Sequence, residues 1–241
     1  MMPKSAMLLA AGLGTRMRPL TNETAKPLLP LGGRALMDHA LDRLASAGVG
    51  RVVVNVHWQS GRMVDHLSHR KGPPEIVVRA EQTLLETGGG VRAALADLGP
   101  EPFFVINGDT VWLDGPTPAL DRVAASWSDE VDAVLLVART FQVQAEVGRG
   151  DFALDPMGIA RRPRENEVVP YVFAGIQILR PSLLADAPDG AFSLNRVWDQ
   201  AIEAGRLLAV VHDGLWFHLS TPADLTEAEY SLHARALGEA R

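Results

Sequence analysis

Uninterrupted apolar runs alternate with amphipathic segments along this chain. Apolar runs without the alternation of a half-exposed strand are typical of strands that are buried on both faces of a sheet. They predict strands at residues 7–11, 51–56, 75–79, 103–106, 133–137, 152–154, 171–179, 207–211 and 216–219.

Apolar residues at helical spacing separate several of these runs. Such spacing occurs over residues 36–45, followed by a terminating Gly48, and again over residues 63–67, 91–98 and 194–204. This alternation predicts an α/β fold that is Rossmann-like, with an open, mostly parallel sheet flanked by helices.

The last helix has a clear start signal. Thr221, Pro222 and Asp224 stand in the order of a capping residue, a proline at the first helical position and an acid at the third. They predict a C-terminal helix within residues 220–241.

The pattern indicates one domain over residues 1–241. Residues 1–138 alternate cleanly and are expected to form a nucleotide-binding core. Residues 139–219 mix strands and helices less regularly and are expected to form a smaller lid and pocket wall. The sequence contains no long linker, low-complexity tract or internal repeat.

Composition narrows the class of partner. The chain has 23 basic and 29 acidic side chains among 241 residues, and its net charge of −6 disfavours a general nucleic-acid or anionic-membrane surface. It has no cysteine, which excludes disulfides and cysteine-based metal or nucleophile sites.

The short apolar run near the N-terminus leads into a glycine motif that cleavage of a signal peptide would destroy, so we expect a cytoplasmic protein.

Residues 7–31 carry the strongest chemical signal. Gly12 and Gly14 follow the first predicted strand and let backbone N–H groups approach an anion closely. Arg16 adds a fixed cation, and Lys26 lies in a proline-flanked segment. The set predicts a polyphosphate site, and the alternative is a tight glycine turn with solvated charges.

Two better-known phosphate loops do not fit this segment. The P-loop ends in Gly-Lys-Ser/Thr, which is missing here. The dinucleotide fingerprint requires a third glycine where this chain has Met17, and residues 55–59 offer no ribose-binding acid after the second strand.

A second motif, Asn107-Gly108-Asp109, follows the predicted strand at residues 103–106. Ligands of open parallel sheets bind beyond the carboxyl ends of the strands, so Asp109 is expected to face the glycine loop. A carboxylate there is a suitable ligand for Mg²⁺, which takes its other ligands from water and substrate phosphates. The alternative is an aspartate that stabilises a turn.

A third motif consists of three consecutive glycines after Leu85-Glu86-Thr87. Thr87 is predicted to cap the helix that follows, and glycines in its first turn would expose backbone donors to a base or a phosphate. A flexible loop is the alternative.

These motifs resemble the sugar-phosphate nucleotidyltransferase family, whose signature is a strand, then G-x-G-T-R-x-R-P-L-T, then K-P-L. The chain matches it at residues 12–21 and 26–28, and the resemblance continues through LETGGG at 85–90 and VINGD at 105–109. It implies a glycosyltransferase-A-like fold. It also implies attack by a sugar 1-phosphate oxygen on the α-phosphorus of a nucleoside triphosphate, which gives a nucleotide sugar and pyrophosphate.

The resemblance also implies roles for individual residues. As the catalytic set, Arg16 would hold the β and γ phosphates, Lys26 the reacting phosphates and Asp109 a metal, Mg²⁺ or alternatively Mn²⁺. Nucleotide contacts are expected from Ala11, Gly12, Leu13, Gly14, Thr15, Glu81, Gln82, Thr87 and Gly88. The sugar pocket is expected at Asn107, Asp151 and Gly175.

The chain departs from the family pattern in two places. Many relatives carry W-x-D-x-G-T where this chain has residues 216–221, so His218 stands where a metal-binding aspartate is usual. His218 could ligate the metal, contact a phosphate or be structural. Where relatives place Glu-Lys-Pro, this chain has Arg161-Arg162-Pro163, so sugar contacts are not carried over from that motif.

The segment GRGDF at residues 148–152, taken with LETGGG and NGDTVW, is most similar to the N-acetylmuramate α-1-phosphate uridylyltransferases of bacterial cell-wall recycling. This resemblance implies UTP and N-acetylmuramic acid α-1-phosphate as substrates. The alternatives are a mannose- or heptose-1-phosphate guanylyltransferase, a glucose-1-phosphate nucleotidyltransferase, and a non-catalytic nucleotide-sugar sensor. We expect a monomer or small homo-oligomer without nucleic-acid or membrane partners.

Overall fold

The structure is a computed structural model that describes residues 1–143 and 145–239. Residues 240 and 241, at the end of the predicted segment 220–241, lie outside the described residues. The strands are β1 (Ser5–Leu9), β2 (Pro30–Leu31), β3 (Arg34–Ala35), β4 (Arg51–Val56), β5 (Glu75–Ala80), β6 (Phe103–Asn107), β7 (Val111–Leu113), β8 (Ala133–Arg139), β9 (Ala153–Leu154), β10 (Ala160–Arg161), β11 (Tyr171–Leu179), β12 (Leu207–Val211) and β13 (Leu215–Phe217).

Helices connect most of these strands. The α-helices are α1 (Leu36–Ser46), α2 (Ser60–Ser68), α3 (Glu86–Ala93), α4 (Leu95–Leu98), α5 (Ala119–Ala125), α6 (Leu194–Glu203) and α7 (Pro222–Glu239). Short 3₁₀ helices lie at Thr15–Met17, Lys26–Leu28, Thr140–Gln142 and Pro181–Leu184. Within the described residues, no helix is both long and apolar enough to cross a membrane.

The central sheet of the described chain has seven strands in the order β12-β8-β11-β6-β1-β4-β5. Strand β11 is antiparallel to its neighbours β6 and β8, whereas the other neighbouring pairs are parallel. The predicted open, mostly parallel α/β sheet is therefore confirmed. The region after residue 138 contributes β11 and β12 to this sheet, while the β9–β10 and β7–β13 pairs lie outside it.

Alternate residues of the central strands pack on opposite faces of the sheet. In β1, Ala6 and Leu8 join the cluster that includes α1 and α2, whereas Met7 joins the cluster that includes α3 and α6. Both faces are buried, which explains why the strands are continuous apolar runs in the sequence. The element boundaries differ in places: β1 begins before the predicted residue 7 and ends at Leu9, and β7 and α5 were not predicted.

The C-terminal helix begins as its sequence predicts. Asp224 Oδ2 accepts hydrogen bonds from the backbone N–H groups of Ser220 (2.8 Å) and Thr221 (2.7 Å), and Thr221 Oγ1 accepts from Asp224 N (3.3 Å). This reciprocal cap satisfies donors that a helix start would otherwise leave open. Helix α7 then packs through Ala228 in a third apolar cluster that also contains Met17.

Candidate active site

Two cavities adjoin at the carboxyl ends of the parallel strands. The loop cavity, about 390 Å³, lies between the end of β1 and the start of α3, and its wall includes Ala11, Gly12 and Thr87. The strand cavity, about 470 Å³, lies beside β11 and β13, and its wall includes Arg16, Asp151, Gly175, Trp198 and His218. Lys26, Asn107 and Asp109 line both cavities.

Topology explains this position. Strand β1 lies between β4 and β6, so the chain crosses from one half of the sheet to the other between β5 and β6. A crevice forms beyond the strand ends at such a switch point. Asn107 is the last residue of β6, and Cα pairing aligns it with Leu9 at the end of β1. The glycine loop and the NGD motif therefore meet at one edge of the sheet.

The glycine loop is held against the segment that carries Lys26. Gly14 has a φ of 61°, and a Cβ atom there would lie 3.1 Å from Lys26 Cβ, so a larger residue would be both strained and crowded. The Thr21 hydroxyl donates to Gly14 O at 2.8 Å. Met17 is fully buried and fixes the following turn, whereas Arg16 stays exposed with no ion-pair partner among the described residues.

Lys26 and Asp109 form a direct ion pair at the boundary between the two cavities. Lys26 Nζ donates to Asp109 Oδ2, and their side chains are 13% and 33% exposed. Gly108 N donates to Leu9 O at 2.8 Å, which ties the NGD loop to the end of β1. The pair places one cation and one carboxylate where both cavities open.

A buried amide network supports the loop cavity. Asn55, at 3% exposure, accepts a hydrogen bond from Ala10 N (2.8 Å) and donates to Glu81 Oε1 (2.7 Å). The other carboxylate oxygen of Glu81 accepts from Leu85 N at 2.9 Å. Both oxygens of Glu81 are therefore engaged inside the chain, and Glu81 orders the turn before α3. Sequence reasoning missed Asn55, although a polar residue near the end of a buried strand is a readable signal.

The three glycines at the start of α3 serve packing. The N–H groups of Gly88 and Gly89 donate to Phe192 O at 2.8 and 3.1 Å, so they are satisfied within the chain. A Cβ atom at Gly88 would lie 2.3 Å from the Phe192 ring. The prediction that Thr87 caps this helix is wrong: Thr87 lies inside the first turn, and its Oγ1 accepts from Leu194 N at 2.9 Å. These contacts lock α3 to the start of α6.

The strand cavity is shaped by an irregular stretch of β11, where the register shifts between Phe173 and Gln177. Asp151 Oδ2 accepts a hydrogen bond from Phe173 N at 2.8 Å, which leaves Oδ1 free of partners among the described residues. Thr110, which lies between β6 and β7, links β11 to β13, because its hydroxyl donates to Ala174 O and accepts from Trp216 Nε1, each at 2.9 Å. Gly175 lies beside Thr110 in the same stretch.

His218 lies in the wall of the strand cavity, with its ring centroid 5.3 Å from that of Trp216. Burial lowers the pKa of His218 below its ordinary value of 6.5, and the charges of Lys26 and Arg16 act in the same direction, while Asp224 and Asp109 oppose them. The imidazole is therefore neutral at pH 7, which is the form that binds metals.

The donor set fits a divalent cation that relies on water and phosphate for most of its ligands. Asp109 and His218 line the same cavity, whereas the described residues contain no group of three or more His, Asp or Glu side chains that could hold a metal by themselves. Mg²⁺ is commonly bound by one or two carboxylates plus substrate phosphates. Imidazole is a softer ligand than carboxylate. A site with one carboxylate and one imidazole therefore favours Mn²⁺ more than a site with two carboxylates does.

Neither arginine of the Arg161-Arg162-Pro163 segment lines the two cavities. Arg161 makes two hydrogen bonds of 2.7 Å to Glu167, and this pairing lowers the pKa of Glu167 to about 2. Arg162 donates to Asp199 Oδ1 and Asn195 Oδ1, both at 2.9 Å. Both guanidinium groups are thus engaged within the chain.

The structure brings most of the predicted site residues together. The residues that line one or both cavities are Ala11, Gly12, Arg16, Lys26, Thr87, Asn107, Asp109, Asp151, Gly175 and His218. The predicted residues outside both walls are Leu13, Gly14, Thr15, Glu81, Gln82 and Gly88. The wall residues that sequence reasoning missed include Asn55, Thr110, Ser193, Asn195 and Trp198.

Comparison with known proteins places this geometry in context. Residues 6–165 match the model of the MobA-like NTP transferase domain. The chain is 43% identical over 95% of its length, and 97% of the relative's, to an N-acetylmuramate alpha-1-phosphate uridylyltransferase of Caulobacter vibrioides. A protein of the same name from Neisseria meningitidis is 34% identical over 93% of this chain and 96% of the relative.

More distant relatives and solved structures agree on the fold. The catalytic subunit beta of a mannose-1-phosphate guanylyltransferase from Drosophila pseudoobscura is 29% identical over 91% of this chain and 60% of the relative. A UDP-glucose pyrophosphorylase solved with UDP-glucose superposes with a TM-score of 0.78 at 17% identity, over 97% of this chain and all of the other. At that identity the structural match supports the shared architecture alone.

Proposed function

The chain belongs to the MobA-like NTP transferase family, and on this basis we propose that it joins UTP to N-acetylmuramic acid α-1-phosphate, with release of pyrophosphate. The observation that carries the proposal is the pair of adjoining cavities that share Lys26, Asn107 and Asp109. Two substrates held in adjoining cavities can react at the common boundary.

The loop cavity suits the nucleotide. Gly12 lines it and is exposed, and no other atom would lie within 4 Å of a Cβ atom there, so a phosphate can approach the backbone. Leu84 and Pro27 add apolar surface against which a base can pack. Gln82 precedes this wall in the turn that Glu81 orders, and we assign it to the base as well.

The strand cavity suits the sugar phosphate. It offers Asn107 and the free Oδ1 of Asp151 to hydroxyl or amide groups, and Trp198 and Phe173 form an apolar wall. Aromatic surfaces beside a few polar groups are typical of small-molecule pockets. Arg16, also in this wall, has no ion-pair partner among the described residues and is available to the β and γ phosphates of UTP where the two substrates meet.

Catalysis in this arrangement consists of positioning and charge neutralisation. The nucleophile is a phosphate oxygen that is already ionised at pH 7, so no general base is required. Lys26 would stabilise the negative charge that develops at the α-phosphate, and Arg16 would hold the β and γ phosphates of the leaving pyrophosphate. Alignment of the two phosphates across one boundary supplies the advantage of proximity.

Asp109 and His218 would hold the divalent metal, Mg²⁺ or Mn²⁺, together with water and phosphate oxygens. When bound, the metal neutralises phosphate charge. The Lys26–Asp109 ion pair keeps both side chains at the boundary before substrates arrive. From this position Lys26 would contact the phosphates, and Asp109 would be available to hold the metal.

Sequence similarity supports the substrate pair. The two uridylyltransferases match nearly the whole chain at 43% and 34% identity, whereas the guanylyltransferase shares 29%. The proposed product would serve cell-wall recycling, and the proposed compartment is the cytoplasm, where nucleoside triphosphates are available. We propose a monomer or small homo-oligomer.

A turnover assay tests the proposal. Pyrophosphate release would be measured for each nucleoside triphosphate with N-acetylmuramic acid, N-acetylglucosamine, glucose and mannose 1-phosphates, in Mg²⁺ and in Mn²⁺. We expect the highest kcat/KM for UTP with N-acetylmuramic acid 1-phosphate. A preference for GTP with mannose 1-phosphate would indicate a guanylyltransferase instead. If no combination releases pyrophosphate but nucleotide-sugar binding is retained, a sensor is favoured.

A further inference from the structure

The start of α6 forms a wall between the two cavities. Ser193 lines the loop cavity, and Asn195 lines the strand cavity. The segment is fixed from the side of α3, because Leu194 N donates to Thr87 Oγ1 at 2.9 Å and Phe192 O accepts from Gly88 N. The backbone that carries Asn195 is therefore held in place by neighbouring secondary structure.

The amide of Asn195 has a defined orientation. Arg162 Nη2 lies 2.9 Å from Asn195 Oδ1, and a guanidinium group has donors only. The atom that faces Arg162 must therefore be the carbonyl oxygen. Nδ2 and its two N–H donors have no hydrogen-bond partner among the described residues, and Asn195 is an exposed residue in the wall of the strand cavity.

Arg162 is itself fixed, so it can orient Asn195. Its Nε donates to Asp199 Oδ1 at 2.9 Å, and its Cζ lies 4.9 Å from the ring centroid of Phe152 and 5.5 Å from that of Trp198. Trp198 in turn contacts Phe173 edge to face, with centroids 4.8 Å apart. Trp198 Nε1 donates to Gln177 Oε1 at 2.7 Å, so it offers no donor to a ligand.

We propose, resting on the function above, that Asn195 is a specificity-determining residue and Arg162 its positioning residue. Asn195 Nδ2 donates a hydrogen bond to a carbonyl-type oxygen carried by the sugar ring. Two groups of N-acetylmuramic acid offer this chemistry, the acetamido carbonyl and the lactyl carboxylate. A sugar that carries only hydroxyl groups can rotate a hydroxyl to accept this bond, but it lacks the stronger planar acceptor.

The test compares variants with three sugar 1-phosphates: N-acetylmuramic acid, N-acetylglucosamine and glucose. Asn195→Asp preserves shape and still accepts from Arg162, but it presents a carboxylate in place of the donor. We expect about a tenfold or greater weakening of binding for sugars that carry the recognised group, since a hydrogen bond of ordinary strength is replaced by repulsion. Dissociation constants would be measured by calorimetry with a non-hydrolysable UTP analogue present.

The pattern across sugars identifies the group. Weakening for both N-acetylated sugars but not for glucose assigns the acetamido carbonyl, and weakening for N-acetylmuramic acid alone assigns the lactyl carboxylate. Equal weakening for all three sugars, or no weakening, overturns the inference. It is also overturned if the unaltered protein binds glucose 1-phosphate as tightly as the N-acetylated sugars.

Two variants of Arg162 distinguish a positioning role from a general loss of stability. Arg162→Met should reduce the same selectivity in the same direction, while Arg162→Lys, which retains a donor, should restore part of it. Gln200→Glu is the matched control, because it makes the same change from amide to carboxylate at an exposed residue of α6 outside both cavities and should leave the ratios among sugars unaltered. Turnover with UTP is read separately: binding selectivity without turnover would contradict the proposed function and leave the Asn195 assignment standing.

Discussion

Lys26 Nζ donates to Asp109 Oδ2 across the boundary that the loop cavity and the strand cavity share. The two residues are distant in sequence, and each belongs to a different motif of the chain. Their contact joins the phosphate-binding segment to the candidate metal ligand at the point where the substrates would meet.

Replacement of Lys26 tests the charge at that boundary. Lys26→Met should lower kcat/KM by roughly two to three orders of magnitude, because an electrostatic contact to the reacting phosphates is lost. Lys26→Arg should retain part of the activity. Lys4→Met, at an exposed lysine outside both cavities, is the matched control and should behave like the unaltered protein. A fully active Lys26→Met variant would exclude Lys26 from catalysis.

His218→Asp tests the candidate second metal ligand. A carboxylate is a harder ligand than imidazole, so the variant should keep Mg²⁺-dependent turnover and its activity ratio of Mn²⁺ to Mg²⁺ should fall. Steady-state rates in each metal, together with metal affinity from calorimetry, measure this. A folded variant with no turnover, or an unaltered metal preference, would speak against ligation by His218.

Gly88→Ala tests the packing of α3 on α6. The added methyl group would lie 2.3 Å from the Phe192 ring, and we expect a loss of about 1–3 kcal/mol in the free energy of unfolding. Gly61→Ala in α2 is the matched control. No atom would lie within 4 Å of its Cβ, so alanine should stabilise the protein by about 0.5–1 kcal/mol. Urea unfolding measures the stability of both variants. A Gly88→Ala variant that is as stable as the unaltered protein would refute the packing role.

His212 predicts a pH dependence of stability. Its Nε2 faces the carbonyl oxygens of Leu113 and Leu215 at 3.1 and 3.2 Å, so Nε2 carries the proton, while Nδ1 is buried without a partner. Burial lowers the pKa of His212 below 6.5. The unfolded chain therefore binds a proton more readily, and this contribution to stability is complete above pH 6.5 and declines as the pH falls toward the lowered folded-state pKa.

The matched variant is His212→Gln, whose side-chain amide can still donate but does not titrate. The urea midpoint of the unaltered protein should decrease as the pH is lowered from 7.5 to 5.5, and the midpoint of the variant should decrease less. If the urea midpoints of the two proteins depend on pH to the same extent, His212 does not change protonation on unfolding in this range.

The sequence predicted what is encoded locally. Buried strands appeared as apolar runs, the start of α7 as a capping pattern, and the turn at Gly12 and Gly14 as a glycine loop after the first strand. The sheet edge that brings Asp109 to this loop followed from a general rule for parallel sheets. These features depend on neighbours in the chain or on the regular geometry of the fold.

Contacts between distant segments could not be predicted. The glycines of α3 suggested open backbone donors, but Phe192 occupies those of Gly88 and Gly89 because α6 packs there. The Arg161-Arg162-Pro163 segment departed from the family motif, but the sequence did not show that both arginines pair with side chains of this chain. Pairing partners of this kind are set by tertiary packing, and a single sequence carries no local pattern that identifies them.

Isotope transfer tests the central claim, direct attack of the sugar phosphate on the α-phosphorus of UTP, most directly. N-acetylmuramic acid α-1-phosphate with ¹⁸O in its non-bridging phosphate oxygens would be incubated with UTP and the protein, and the products would be analysed by mass spectrometry. We predict that the nucleotide sugar retains all of the label and that pyrophosphate contains none. Label in pyrophosphate, or UMP as the nucleotide product, would contradict direct transfer across the Lys26–Asp109 boundary.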